Sequence, residues 1–132
     1  MSDKLTEFAK GYAQAWCSHN PERVAAFFEE DASFKVNDDA PAIGRMAIAE
    51  IARGFMRDFP DMTVTFDKFE PREDATAFHW TLIGTHTGPG GTGNRVRISG
   101  YELWKIGNNG LIAESKGHFD AADYETQLKR PA

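Results

Sequence analysis

Apolar residues recur every three or four positions over residues 3–18, where Leu5, Phe8, Tyr12 and Trp16 fall on one side of a helical projection. This spacing predicts an amphipathic helix, because residues three and four apart lie on the same helical face. The apolar face is expected to pack on the rest of the protein.

A second, short helix is predicted to start at Asn20-Pro21, because asparagine caps helices and proline suits the first helical position. The apolar pattern carries this helix through Phe28. Alternating residues then predict a first strand over 32–37, and the chain that continues to Gly44 is expected to pair with it as a short second strand.

The helical period returns at Arg45 and continues to Phe59. Pro60 ends this third helix, because the residue before a proline is pushed away from helical angles. Residues 62–69 alternate between apolar and polar side chains, which predicts a half-buried strand, and residues 70–74 form a polar turn.

Three further strands are predicted over 75–87, 95–106 and 111–119. They are separated by a Gly/Pro-rich loop at 88–93 and by a Gly-Asn-Asn-Gly turn at 107–110, which is the pattern of an antiparallel meander. The meander also contains most of the residues capable of acid/base chemistry.

A last short helix is predicted over 121–128. Helices near the amino terminus followed by strands predict an α+β fold, in which a curved antiparallel sheet wraps around the N-terminal helices and forms a cone with an apolar cavity. The 132 residues fit one domain, 1–132.

The formal charge of -5 argues against a nucleic-acid partner, which would require clustered lysine and arginine. Hydrophobic residues make up 41% of the chain, enough for a core and an apolar pocket. Cys17 is the single cysteine, so no disulfide forms within the chain. With no signal-like N-terminal pattern and no membrane-length apolar run, a cytoplasmic protein without a membrane partner is expected.

The candidate catalytic residues are Asp120, His118 and His86. Strand alternation puts Asp120 on the same face as His118 if the last strand continues without a bulge. A carboxylate in an apolar pocket has a raised pKa and becomes a usable general base near neutral pH. Asp120 is equally explained as a helix cap, and His86 as a residue that braces the loop after it.

A metal site is not predicted, although these two histidines and the aspartate have suitable ligand atoms, because no close H-x-x-x-H pair supports one. The loop at 88–93 lacks the Gly-Lys-Ser/Thr ending of a phosphate loop. Aromatic side chains are expected to bind a small hydrophobic molecule, namely Tyr12, Trp16, Phe55, Trp80 and Trp104.

Several motifs resemble those of the SnoaL-like polyketide cyclases. They are the Gly-Thr-His-Thr-Gly run at 84–88, Thr-Gly at 92–93, Gly-Leu-Ile-Ala-Glu at 110–114, Phe-Pro-Asp at 59–61, and Asp120 seven residues before Gln-Leu. The resemblance covers nearly the whole chain.

This resemblance implies the cone-shaped fold of nuclear transport factor 2 and ketosteroid isomerase, a homodimer formed through the sheet, and chemistry without a cofactor or metal. It also implies that Asp120 removes a proton alpha to a carbonyl group, in an intramolecular aldol reaction or an isomerisation of a hydrophobic, ring-containing substrate. A non-catalytic binding or association module of the same fold, and a hydrolase or dehydratase that uses His86, are the alternatives.

Overall fold

The structure is a computed structural model, and it describes residues 2–129. The elements follow one another in the order α1 (Ser2–Cys17), α2 (Pro21–Ala25), β1 (Phe28–Val36), β2 (Ala42–Ile43), α3 (Arg45–Asp58), β3 (Thr63–Pro71), β4 (Thr76–Thr85), β5 (Arg95–Ile106), β6 (Ile112–Phe119) and α4 (Ala121–Lys129). The sequence pattern predicted every one of these elements, mostly to within two or three residues.

The strands form one six-stranded sheet in the order β2-β1-β6-β5-β4-β3. The predicted meander is confirmed, because β4 pairs with β5 and β5 with β6 in antiparallel register. The sheet is antiparallel throughout except between β1 and β6, which run parallel. The first long strand, β1, therefore lies beside β6, the last strand of the meander.

The second helix is shorter than predicted. It starts at Pro21, where the Asn20 side chain accepts a hydrogen bond from the Glu22 backbone N–H (3.1 Å), but it ends at Ala25. The prediction that it continues to Phe28 is wrong, because Phe28 opens β1 and pairs with Ile112. Pairing with β6 and full burial of its ring override the local helical pattern.

The hydrophobic core lies between the concave face of the sheet and the helices. Tyr12 on α1 is fully buried against rings from three strands, with its ring centroid 5.9 Å from Phe28, 5.4 Å from Phe78 and 5.3 Å from Trp104. Such edge-to-face contacts are the favoured geometry of aromatic pairs. None of the helices within residues 2–129 is long and apolar enough to cross a membrane.

Candidate active site

An apolar cavity of about 60 Å³ lies on the concave face of the sheet. Most of its wall is aromatic, with side chains from α1, α3 and three strands: Trp16, Phe34, Phe55, Phe78, Trp80 and Phe119. Glu102 alone among the described lining residues carries a carboxyl group. The cavity therefore combines an apolar wall with one acid/base group.

Strand alternation directs Glu102 into the cavity. It lies on β5 between Gly100 and Trp104 in the series that faces the helices, and it pairs with Phe78 on β4 and Gly117 on β6. Gly117 lines the cavity, whereas Gly100 leaves the space that the Trp80 ring fills. A side chain at Gly100 would meet the His118 carbonyl oxygen and the Trp80 ring, whose Cζ2 would be 2.7 Å from the added Cβ.

Glu102 is 5% exposed and is held by three buried donors. Its Oε1 accepts hydrogen bonds from the Tyr12 hydroxyl (3.0 Å), Trp104 Nε1 (2.9 Å) and the Ser115 hydroxyl (2.7 Å). Its Oε2 accepts only from the Tyr12 hydroxyl, at 3.1 Å, and shares this donor with Oε1. One carboxyl oxygen is thus fixed by the protein, while the other keeps lone-pair capacity for a proton or a ligand.

Burial raises the pKa of the Glu102 carboxyl, because desolvation penalises its charged form. The hydrogen bonds from Trp104, Ser115 and Tyr12 oppose this effect and lower the pKa, but desolvation is the larger cause. Burial and the adjacent Glu102 together raise the pKa of Tyr12 well above its usual value, so Tyr12 remains a hydrogen-bond donor. The site therefore contains a desolvated carboxyl group that can exchange a proton closer to neutral pH than an ordinary glutamate.

A groove of about 680 Å³ adjoins the cavity, since the two share Val36, Phe55, Phe119 and Tyr124. Four carboxylates line this groove, namely Asp38, Asp39, Glu50 and Asp58. No lysine or arginine among the described residues lines it. Burial, Asp58 and Glu125 raise the pKa of Tyr124 to about 12, so its hydroxyl is neutral. Glu50 and Asp58 are ion-paired with Arg53 (2.9 Å) and Arg57 (3.6 Å), so the negative charge of this acidic mouth comes mainly from Asp38 and Asp39.

Asp120 lies outside the cavity lining. β6 ends at Phe119, so Asp120 is not part of the strand. The alternation that would put Asp120 on the same face as His118 does not extend to it. The Asp120 side chain is exposed, and its Oδ1 accepts a hydrogen bond from the Asp123 backbone N–H (3.0 Å) at the start of α4. It therefore caps a helix, and its role as a base stays a prediction.

The two candidate histidines are not brought together with Asp120. His118 points to the outer face of the sheet, where its ring lies 5.1 Å from that of Tyr101. His86 follows β4, and its Nδ1 accepts a hydrogen bond from the Thr92 backbone N–H (3.1 Å) across the Gly/Pro-rich loop. Within residues 2–129 no group of three histidine, cysteine, aspartate or glutamate side chains could hold a metal ion.

The five aromatic residues predicted to bind a ligand divide into two sets. Trp16, Phe55 and Trp80 line the cavity. Tyr12 and Trp104 lie behind it and donate hydrogen bonds to Glu102. The second set therefore contacts the carboxyl group rather than the free space.

Glu102 is the functional candidate that the sequence interpretation missed. Strand alternation puts Glu102 and Trp104 on the same face, and that face also holds Ile98, which is buried. A lone carboxylate on the buried face of a strand is rare unless it is paired, so this position was a usable signal. Two of its three donors, Tyr12 on α1 and Ser115 on β6, lie on other elements and could not be found from spacing.

The family model for SnoaL-like polyketide cyclase matches residues 6–128. No curated protein sequence matches the chain. The matches to solved structures are close in shape and distant in sequence.

A protein of ketosteroid isomerase-like fold from Catenulispora acidiphila, solved in complex with trimethylamine, is 17% identical, with 95% of this chain and 94% of that chain covered and a TM-score of 0.81. A putative SnoaL-like polyketide cyclase from Jannaschia is 16% identical, with 84% and 80% covered and a TM-score of 0.73. A putative hydroxylase from Streptomyces galilaeus is 18% identical, with 98% and 83% covered and a TM-score of 0.79. At such identities the likeness establishes the predicted cone-shaped fold and nothing more.

Proposed function

Because the chain belongs to the SnoaL-like polyketide cyclase family, we propose that it is an enzyme that removes a proton alpha to a carbonyl group of a small, largely apolar substrate. The buried Glu102 carboxyl group in the aromatic cavity carries this proposal. A desolvated carboxylate is the usual biological base for such carbon acids. Isomerisation and intramolecular aldol closure both begin with this step.

We expect the substrate to occupy both the cavity and the acidic mouth. About 60 Å³ is less than the roughly 150 Å³ of a cavity that admits benzene. The carbonyl end is therefore expected beside Glu102, with the ring-containing remainder in the groove next to Phe55 and Tyr124. Asp38 and Asp39 at the mouth favour a substrate without negative charge.

Glu102 is the proton acceptor that the geometry favours. Its Oε1 is fixed by three donors, which stabilises the carboxylate form, and Oε2 is available to take the proton. Asp120 is the acceptor that the family resemblance favours, and its exposed side chain lies one residue from the mouth residue Ala121. The two candidates make opposite predictions.

Glu102→Gln should lower turnover by about 10²–10⁴-fold, the usual contribution of a general base. The assay is the exchange of the α-hydrogens of cyclopentanone for deuterium in D₂O, followed by NMR. Glutamine keeps an acceptor for Trp104 and Ser115 and a donor to the Tyr12 hydroxyl, so the fold should be retained. Because burial raises the pKa of Glu102, the wild-type rate should increase with pH above the ordinary value of 4.5, as the carboxylate forms.

Asp120→Asn is the matched control, since asparagine also caps helices. Exchange within about threefold of the wild type is expected from this variant. Loss of exchange in Asp120→Asn with normal exchange in Glu102→Gln would transfer the role to Asp120. Normal exchange in both variants would mean that neither carboxylate removes the proton.

A binding protein without chemistry is the second candidate function. It is supported by the complete pairing of Glu102 Oε1 with protein donors, which also suits a structural carboxyl group. The structure of the Catenulispora acidiphila protein in complex with trimethylamine supports a small ligand for this kind of cavity. Saturable ligand binding with no exchange in the wild type or in either variant would favour this function.

The homodimer is proposed to form through the outer face of the sheet. A row of half-buried rings crosses three strands there, with His79 and His118 at 5.5 Å and 5.1 Å from the Tyr101 ring between them. Sedimentation should give about twice the chain mass of 14.7 kDa. Tyr101→Glu should produce monomers, and a wild-type protein that sediments as a monomer at micromolar concentration would contradict the proposal.

A further inference from the structure

The cavity beside Glu102 has two requirements that a rigid wall does not meet together. Burial keeps the pKa of the carboxyl group raised, so the cavity has to exclude water. A ring needs a cavity of roughly 150 Å³, so the wall around the present volume of about 60 Å³ has to move when a ring-containing substrate enters. An entrance that opens and closes would meet both requirements.

The cavity meets the solvent on the side of the acidic mouth. Most of its described lining residues are buried, and five are half-buried: Val36, Phe55, Trp80, Phe119 and Tyr124. All of these except Trp80 also line the mouth. A molecule that moves from the mouth to Glu102 therefore passes the four shared side chains.

Tyr124 is the entrance side chain that lies on the most lightly held element. The other three belong to β1, α3 and β6, which are two paired strands and a helix with four buried residues. Tyr124 belongs to α4, in which Gln127 is the only buried residue. Segments with few buried apolar contacts open at a lower free energy than the core of a protein. Of the entrance elements, α4 is thus the one that moves at the lowest cost.

Polar contacts fasten the carboxyl-terminal half of α4 to β5 and to the loop before it. The Gln127 Oε1 accepts a hydrogen bond from the Arg97 backbone N–H (2.8 Å), and its Nε2 donates to the Arg97 carbonyl oxygen (2.9 Å). Asn94 Nδ2 donates to the carbonyl oxygens of Gln127 (3.1 Å) and Leu128 (2.9 Å). Water can replace such contacts at a small net cost, so they suit a latch that opens.

The chain between β6 and α4 supplies a hinge. The end of β6 is held in place, since the Phe119 backbone N–H donates to Asn37 Oδ1 (3.0 Å). Asp120 follows, and it is exposed and lies outside the strand. Residues at the ends of elements commonly absorb the backbone rotation of a lid. A rotation at Asp120 would separate the rings of Tyr124 and Phe119, whose centroids are 5.4 Å apart, and would leave the sheet intact.

We propose that α4 is a lid on the candidate active site, which opens about Asp120 to admit the substrate past Tyr124 and is latched by Gln127. This inference rests on the proposed function for the purpose of the lid, but the movement can be measured without turnover. In the closed form the Tyr124 ring separates the cavity from the mouth and keeps water from Glu102. The latch therefore controls how often a substrate reaches the carboxyl group.

Amide hydrogen exchange of the wild type tests the movement. The amides of α4 should exchange at least tenfold faster than the central amides of β4 and β5, because they need only the local opening. Exchange of both sets at one common rate would overturn the inference, since α4 would then open only when the whole protein unfolds.

Gln127→Met tests the latch, because methionine keeps the length of the side chain and loses both hydrogen bonds to Arg97. The association rate of 2-tetralone, followed by stopped-flow tryptophan fluorescence, should rise about tenfold as the open form becomes more populated. A purely structural glutamine would lower stability and leave this rate unchanged. Thr126→Ala is the matched control, since Thr126 is exposed on the same helix and bonds only within it, to the Ala122 carbonyl oxygen.

Tyr124→Ala removes the closing ring and leaves the latch intact, so it gives an answer even if Gln127→Met does not fold. It should also raise the association rate of 2-tetralone, and an unchanged rate in either variant would overturn the inference, because the substrate would then enter elsewhere. A latch that controls association, together with normal deuterium exchange in Glu102→Gln, would retain the lid and reject the proposed base. The failure of the inference and the failure of the proposed function are therefore distinguishable.

Discussion

Glu102→Leu should lower the free energy of unfolding by about 3 kcal/mol, because it leaves Tyr12, Trp104 and Ser115 with buried donors that have no acceptor. Each unpaired donor costs roughly 1–3 kcal/mol, and the apolar leucine recovers part of that loss by its own burial. Urea unfolding followed by tryptophan fluorescence measures the change. A leucine variant as stable as the wild type would mean that the three donors find other partners.

Glu102→Gln is the control, because its amide oxygen accepts from Trp104 and Ser115 and its NH₂ group donates to the Tyr12 hydroxyl, so the expected loss is below about 1 kcal/mol. Its stability relative to the wild type should increase with pH. The raised pKa means that folded Glu102 holds its proton more tightly than unfolded Glu102. The wild type therefore has this contribution in full below about 4.5, the ordinary pKa, and loses it as the pH rises through the folded pKa.

The fold was predictable because the hydrophobic pattern reports burial directly. The strand over 95–106 was predicted with both of its ends correct, since turn residues bound it on each side. The pattern failed where pairing between distant segments decides the structure, as at Phe28, which extends β1 to reach Ile112. The parallel pairing of β1 with β6 has the same origin, because sequence alternation carries no information on strand direction.

The candidate site was less predictable than the fold. Alternation and motif resemblance identified Asp120, which the structure finds exposed and capping α4. They passed over Glu102, whose importance depends on Tyr12 and Ser115, which are far from it in sequence and adjacent in space. Desolvation is a property of the assembled core, so a raised pKa cannot be assigned from local sequence.

Gly100→Ala should destabilise the fold by about 3 kcal/mol, as expected when a methyl group is forced into a packed interior. The added Cβ would meet the His118 carbonyl oxygen, which belongs to the β6 backbone and cannot move without disturbing the β5–β6 ladder. It would also lie 2.7 Å from the Trp80 ring and 2.9 Å from the Phe119 Cβ. Urea unfolding at neutral pH gives the free energy.

Gly117→Ala separates this steric effect from a general requirement for glycine. Its added Cβ would find the Lys35 carbonyl oxygen at 3.4 Å, Phe34 Cε1 at 3.6 Å and Glu102 Cγ at 3.7 Å, which are ordinary contacts. The variant should therefore stay within about 1 kcal/mol of the wild type, while its methyl group occupies cavity space beside Glu102. Similar losses in both variants would mean that the loss in Gly100→Ala reflects a general requirement for glycine in this sheet rather than the contacts of the added Cβ.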